Sequence, residues 1–273
     1  MRNHNVGFRY LKISSADNEI TNKNQRTTIA IRQELTGYSQ YSFFCTDFDH
    51  CESSLSSDKG GAIYCETGAL MIENCSFINC KSEERSGAVF FCCSFTCRDI
   101  NNFFANNSGS KHTGTFDDAS STDSVHSLSK YVNSTTPGHF GIMNVEATSY
   151  TSISSCVFIN GSAGLYCGLL SLTRMNGSVS VSDCIFSSGR ATEYGGAVGT
   201  YQPYEPNTSP VLSFSFFCNN FCSKSGRGAD FDANGTTGNY FSKDKIIHCF
   251  SVSSGLHIHI NGKRDSDAAN WLI

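Results

Sequence analysis

Residues 77–87 read Phe77-Ile-Asn-Cys-Lys-Ser-Glu-Glu-Arg-Ser-Gly87, and residues 104–114 read Phe104-Ala-Asn-Asn-Ser-Gly-Ser-Lys-His-Thr-Gly114. Each stretch opens on an aromatic residue and closes on a glycine ten positions later. The same couple returns as Tyr131 with Gly141, Phe158 with Gly168, and Phe186 with Gly196. From Phe77 the aromatic steps by 27, 27, 27 and 28 residues, and Gly61 precedes Gly87 by 26. Two markers locked to one period and one offset define a repeat, and periods of roughly 20–50 residues belong to stacked architectures. Phe48, Phe221, Phe250 and Gly228 extend the two series with looser spacing.

The surroundings of each marker read as strand. Two residues after the glycine stand Ile63, Val89, Phe116, Met143, Leu170 and Val198. Residues two apart share a strand face, so glycine and the large apolar residue point the same way, inward. Two residues before the aromatic stand Cys75, Asn102, Ser129, Cys156 and Cys184, a small column on the side of the ring. No Leu-x-x-Leu-x-Leu pattern supports a leucine-rich repeat, and a propeller blade needs about 40–45 residues. An antiparallel sandwich would leave the spacing to accident. The remaining expectation is all-β: a right-handed parallel β-helix, a pectin-lyase-like solenoid of about seven to eight coils of ~27 residues. Its hand follows from the chirality of strand–crossover–strand connections.

The frame divides the chain into an N-terminal segment (1–40, a cap or irregular), β-helix repeats (41–260) and a C-terminal tail (261–273). Within 1–40, Thr27-Thr-Ile-Ala-Ile-Arg32 is a candidate early strand. From Gly196 to Phe221 the spacing lengthens, and 201–210 hold three of the four prolines. Proline cannot donate to a ladder, so it marks a loop leaving the coil. Tyr201 and Tyr204 in that insertion are candidate partner contacts, because rigid amphipathic rings bind at low entropic cost.

Lys+Arg 20 against Asp+Glu 24 gives a formal charge of −4, which argues against a general nucleic-acid binder. No apolar run approaches the ~18 residues of a membrane helix. The first dozen residues hold no apolar stretch of a secretory signal, so the chain is expected either to bypass the usual secretory route or to be part of a longer one.

Gly60-Gly-Ala-Ile63, Gly195-Gly-Ala-Val198 and Ser86-Gly-Ala-Val89 resemble the Gly-Gly-Ala-Ile motif of polymorphic outer membrane protein repeats. Phe104-Ala-Asn-Asn107 and Phe217-Cys-Asn-Asn220 resemble the paired Phe-x-x-Asn motif, and Cys75-Ser-Phe-Ile-Asn-Cys80 resembles its Cys-rich form in trichomonad surface proteins. The resemblance covers about residues 41–250. It implies a right-handed parallel β-helix and a surface protein with a role in adhesion or host contact. Asn here often stands two residues after the aromatic rather than three, as at Asn79, Asn133 and Asn160.

Chemistry is harder to find. Fourteen cysteines fall below the share of roughly 8–10% that marks a disulfide scaffold, and those at 75, 156 and 184 point inward, so buried free thiols are expected, with some disulfides as the alternative. No Cys-x-x-Cys pair offers a zinc site, and Cys93-x-x-x-Cys97, Cys218-x-x-x-Cys222 and His257-Ile-His259 are the nearest approaches. Asp117 and Asp118 are adjacent and should face opposite ways, whereas Asp230 and Asp232 should share a face. Asp230 stands where the column calls for a large apolar residue. Glycoside hydrolysis needs two carboxylates on one cleft. Seven sequons, at Asn74, Asn106, Asn133, Asn160, Asn176, Asn207 and Asn234, matter only in a secretory compartment. The sequence thus points to a non-enzymatic surface or binding solenoid without catalytic residues, metal or cofactor. Its partner would be a glycan or protein at a cell surface. The alternatives are a polysaccharide lyase or glycoside hydrolase on the same fold, and a fragment with no function of its own.

Overall fold

The computed structural model describes residues 10–13, 18–19, 27–29, 32–35, 40–53, 59–119, 122–146, 148–175, 177–201, 211–223, 228–234, 246–247, 249–251, 258–260 and 263–265. Every described element is a strand, and the strands form four sheets. One turn runs through all four in order: Val89–Cys92 in sheet A, Thr96–Ile100 in sheet B, Phe103–Ala105 in sheet C and Ser108–Gly109 in sheet D. The next turn pairs parallel and in register on top of it, Val89 on Phe116, Asp99 on His126 and Phe104 on Tyr131. The molecule is a parallel β-solenoid in which about six turns keep the ~27-residue period. Thr27–Ile29 and Arg32–Leu35 pair parallel beneath these turns, and Lys263–Asp265 folds back antiparallel on Ile258–Ile260.

Each marker of the repeat has a local cause. The aromatic residues sit inside sheet C and stack face to face along the axis. Successive ring centroids from Phe48 through Phe77, Phe104, Tyr131, Phe158 and Phe186 to Phe217 lie 4.6–5.1 Å apart. Each stacked pair adds about 0.5–1.5 kcal/mol to the burial itself. The ladder continues at Phe217, not Phe221. Phe186 pairs with Phe217, while Phe221 lies on sheet D and is exposed. Phe250 pairs with Phe216, one place off the ladder.

The glycines mark the corner where sheet D hands over to sheet A. A Cβ on Gly87 would lie 2.3 Å from Gly114 O and 2.5 Å from Ser108 N, and the other members of the column meet backbone just as closely. Two backbones therefore cross where only a hydrogen fits. The preceding position is left-handed at Gly60, Ser86, Cys167 and Gly195, which is why a double glycine suits it.

Asparagine marks the other corners. Asn79, Asn106, Asn133, Asn160 and Asn219 take positive φ between sheets C and D, a conformation that Asn tolerates better than most residues. The next residue turns inward. Asn107 Oδ1 accepts from Cys80 N–H at 2.8 Å while its Nδ2 donates to Phe77 O at 3.1 Å, and Asn220 repeats the pattern on Gly189 N–H and Phe186 O. The last Asn of Phe-x-x-Asn thus satisfies the buried backbone of the turn beneath it.

Candidate functional site

Two polar constellations interrupt the apolar repeat, one outside and one inside, and both centre on the strand Phe116–Ala119. Asp117 and Asp118 diverge to opposite faces of sheet A, as strand alternation requires. Asp117 faces outward into a stack of Phe90, Asn144, Ser171 and Gly199. Asp118 faces into the solenoid.

On the outer face, Arg85 Nε donates to Asp117 Oδ2 at 2.9 Å, His112 Nδ1 lies 3.0 Å from the same oxygen, and Asn144 Nδ2 donates to Oδ1 at 2.9 Å. Glu146 lies 3.5 Å from Arg85 and 3.1 Å from Arg174. The Arg85 guanidinium also lies over the Phe90 ring, 5.0 Å from its centroid. Asp117 is fully buried, whereas Arg85, His112 and Glu146 keep 22%, 24% and 18% of their side chains exposed. Burial alone would raise the Asp117 carboxyl, but His112 and Arg85 outweigh it and hold it below the ordinary carboxylate range. A carboxylate held ionised in this way has no proton to donate at neutral pH.

Arg85 and His112 belong to a longer feature. Lys59, Arg85, His112, His139, Tyr166 and Tyr194 each stand two residues before a glycine of the repeat, one per turn. They form a half-buried ridge along the edge of sheet A. Its rings follow one another at 5.6 Å (His112 to His139), 5.4 Å (His139 to Tyr166) and 5.1 Å (Tyr166 to Tyr194). Burial, and the nearby His112 and Arg85, lower the pKa of His139. The ridge therefore presents cations at one end and uncharged amphipathic rings at the other. Its signal lay in the sequence, in the column two places ahead of the glycines.

Inside, Asp99 and His126 replace the apolar residues that fill sheet B elsewhere, Ile72 below and Ile153 above. His126 Nδ1 lies 3.3 Å from Asp99 Oδ2 and its Nε2 lies 3.7 Å from Asp118 Oδ2. Ser124 Oγ donates to Asp118, while Ser129, Asn102 and the Tyr131 hydroxyl donate to Asp99. Tyr131 is the one hydroxylated ring in the ladder because its oxygen reaches this carboxylate. Burial lowers the His126 pKa, but hydrogen bonds and charge from Asp118 and Asp99 prevail and raise it to about 9. Both acids and the imidazole have no exposed surface, so this cluster is part of the core.

The remaining sequence candidates are dispersed. Tyr201 ends the strand Val198–Tyr201 beside Thr173 and Asn234, and Tyr204 with the rest of the insertion lies outside the described residues. Asp230 does not occupy the apolar column. The register places Phe231 opposite Val198, and Asp230 accepts from Asn220 Nδ2 at 2.9 Å beneath the preceding corner. Asp232 pairs with Gly199 on the outward stack. His257 lies outside the described residues, and His259 pairs with Asp232. No disulfide joins the described cysteines, most of which are buried. Of the sequons, Asn106, Asn133 and Asn160 stand on exposed corners, where each Nδ2 donates to the Asn one turn before. Asn74 accepts from Asn101 in the same way. No protein-family profile, curated protein or solved structure matches the chain.

Proposed function

We propose that this chain is a non-enzymatic binding solenoid that holds a glycan or protein partner at a surface, with the ridge on sheet A as its contact face. The observation that carries the reading is the ladder Lys59–Arg85–His112–His139–Tyr166–Tyr194. A half-exposed, regularly spaced row of cations and amphipathic rings supplies donors, acceptors and apolar edges to an extended partner at about one contact per 4.8 Å. The repeats' resemblance to polymorphic outer membrane protein repeats supports the surface role. Tyr201 and Tyr204, the candidate contacts read from the sequence, belong to the same proposal.

The second reading is a carbohydrate-active enzyme, a lyase or glycoside hydrolase. It rests on two carboxylates, Asp117 and Glu146, on one outward face with Arg85 between them. The saturation of Asp117 weighs against it. One experiment separates the two. Wild-type chain and a Tyr166→Ser, Tyr194→Ser variant are applied to a glycan array and to host cells, and both are incubated with pectin and polygalacturonate. The binding reading expects retention that the ridge variant loses without a change in melting temperature, and no new reducing ends or unsaturated products. Product formation abolished by Glu146→Gln would replace it with the enzymatic reading.

A further inference from the structure

Two pairs of inward cysteines meet across neighbouring turns. Cys51 and Cys80 occupy the same corner between sheets C and D, one turn apart. Lys81 N–H donates to Cys51 O at 2.9 Å, and Cys80 Sγ leans back to within 3.7 Å of Phe48 O. Cys156 and Cys184 repeat the arrangement between sheets B and C. Ile185 N–H donates to Cys156 O at 3.0 Å, and Cys184 Sγ lies 3.8 Å from Ile153 O. In both pairs the register of the flanking strands sets the two residues directly one above the other. We propose that Cys51–Cys80 and Cys156–Cys184 are inter-turn disulfide sites, staples that close when a small-molecule disulfide is supplied.

The geometry favours closure. Neighbouring turns of a parallel stack lie about 4.8 Å apart, inside the ~4.4–6.8 Å between Cα atoms that a disulfide spans. Both side chains of a pair already point into the same corner. In each pair one thiolate attacks the small disulfide, forming a mixed disulfide and releasing one small thiol. The partner thiolate then attacks the protein sulfur, closes the Cys–Cys bond and releases the second thiol. The pair gives up two electrons and two protons, and the small disulfide carries both away as two thiols. The neighbouring thiol, Cys80 or Cys184, and burial both push the pKa of Cys51 and of Cys156 up. Closure should therefore be slow in the folded chain and fast while it refolds.

The test uses the full chain with oxidised and reduced glutathione, once folded and once during refolding from denaturant. Peptide mapping of the refolded product should find both cross-links, with thiol titration falling by four. The closed chain should melt several degrees above the reduced one, since each bridge shortens the unfolded chain across a whole turn. A Cys80→Ser, Cys184→Ser variant should fold but lose that gain, because Ser134 and Ser129 already fill the same two columns in other turns. A folded product with these four thiols free, links to other cysteines, or a lower melting temperature on closure would overturn the proposal.

Discussion

The buried His126 makes a prediction that can be worked through. Its ring lies between Asp99 and Asp118, beside Ser124 and edge-on to Phe116, and its pKa stands near 9 in the folded chain. In the unfolded chain it returns to about 6.5. A base whose pKa rises on folding contributes its stability in full below the unfolded value and loses it as pH rises through the folded value. The displacement is worth roughly 3 kcal/mol in total, of which roughly 2 kcal/mol disappears between pH 6.5 and 8.5. Thiols also weaken the fold in alkali, because a buried Cys75 at about 11 binds its proton longer than an unfolded one. That loss begins only near pH 8.5, so the lower window belongs to His126. Denaturant unfolding at half-unit steps from pH 6 to 8.5 measures the slope. His126→Gln should be less stable at pH 6.5 by about 3–5 kcal/mol, because two carboxylates lose their cation, and its stability should be flat across the window. A wild-type curve as flat as the variant's would refute the placement of His126 between Asp99 and Asp118.

Other expectations follow from single contacts. Gly87→Ala puts a methyl into two backbones and should cost about 3 kcal/mol or more, or prevent folding; a chevron or melt showing a loss below ~1 kcal/mol would contradict the corner geometry. Asn107→Ala removes both hydrogen bonds to the turn below and should cost roughly 2–4 kcal/mol by urea unfolding, while Asn133→Gly, which keeps the positive φ on the exposed ladder, should cost under ~1 kcal/mol. Asp117 is held ionised by its neighbours, so its stabilisation is present above about pH 4 and lost as pH falls below that; Asp117→Asn should remove this acid-side slope in thermal melts from pH 5 to 2. Phe158→Ala should cost roughly 3–5 kcal/mol, since it empties one rung of the ring stack.

Period and columns were legible because the stack gives each position of a turn one environment. A glycine under a crossing backbone, a ring in the ladder and a cysteine or asparagine at a corner recur for the same reason in every turn. The columns also carried the ridge, since Arg85, His112, His139 and Tyr166 keep the spacing of the glycines. What the period does not encode is the exception. Asp99, Asp118, His126 and Tyr131 depart from their columns one at a time, and only the stacking of the turns brings them toward one another. Likewise Phe217 and Phe221 are both aromatic near the expected place. The proline-rich insertion shifted the count, and the register alone decides that Phe217 is in the ladder.

The most direct test of the solenoid is the neighbourhood of Tyr131. Its ring lies between Phe104 and Phe158, 4.7 and 4.9 Å from their centroids, though each is 27 residues away in the chain. In a sample with labelled tyrosine and phenylalanine rings, nuclear Overhauser contacts from Tyr131, assigned through Phe104→Leu and Phe158→Leu variants, should run to both rings. Contacts to neither, with a folded and cooperative chain, would contradict the stacked turns.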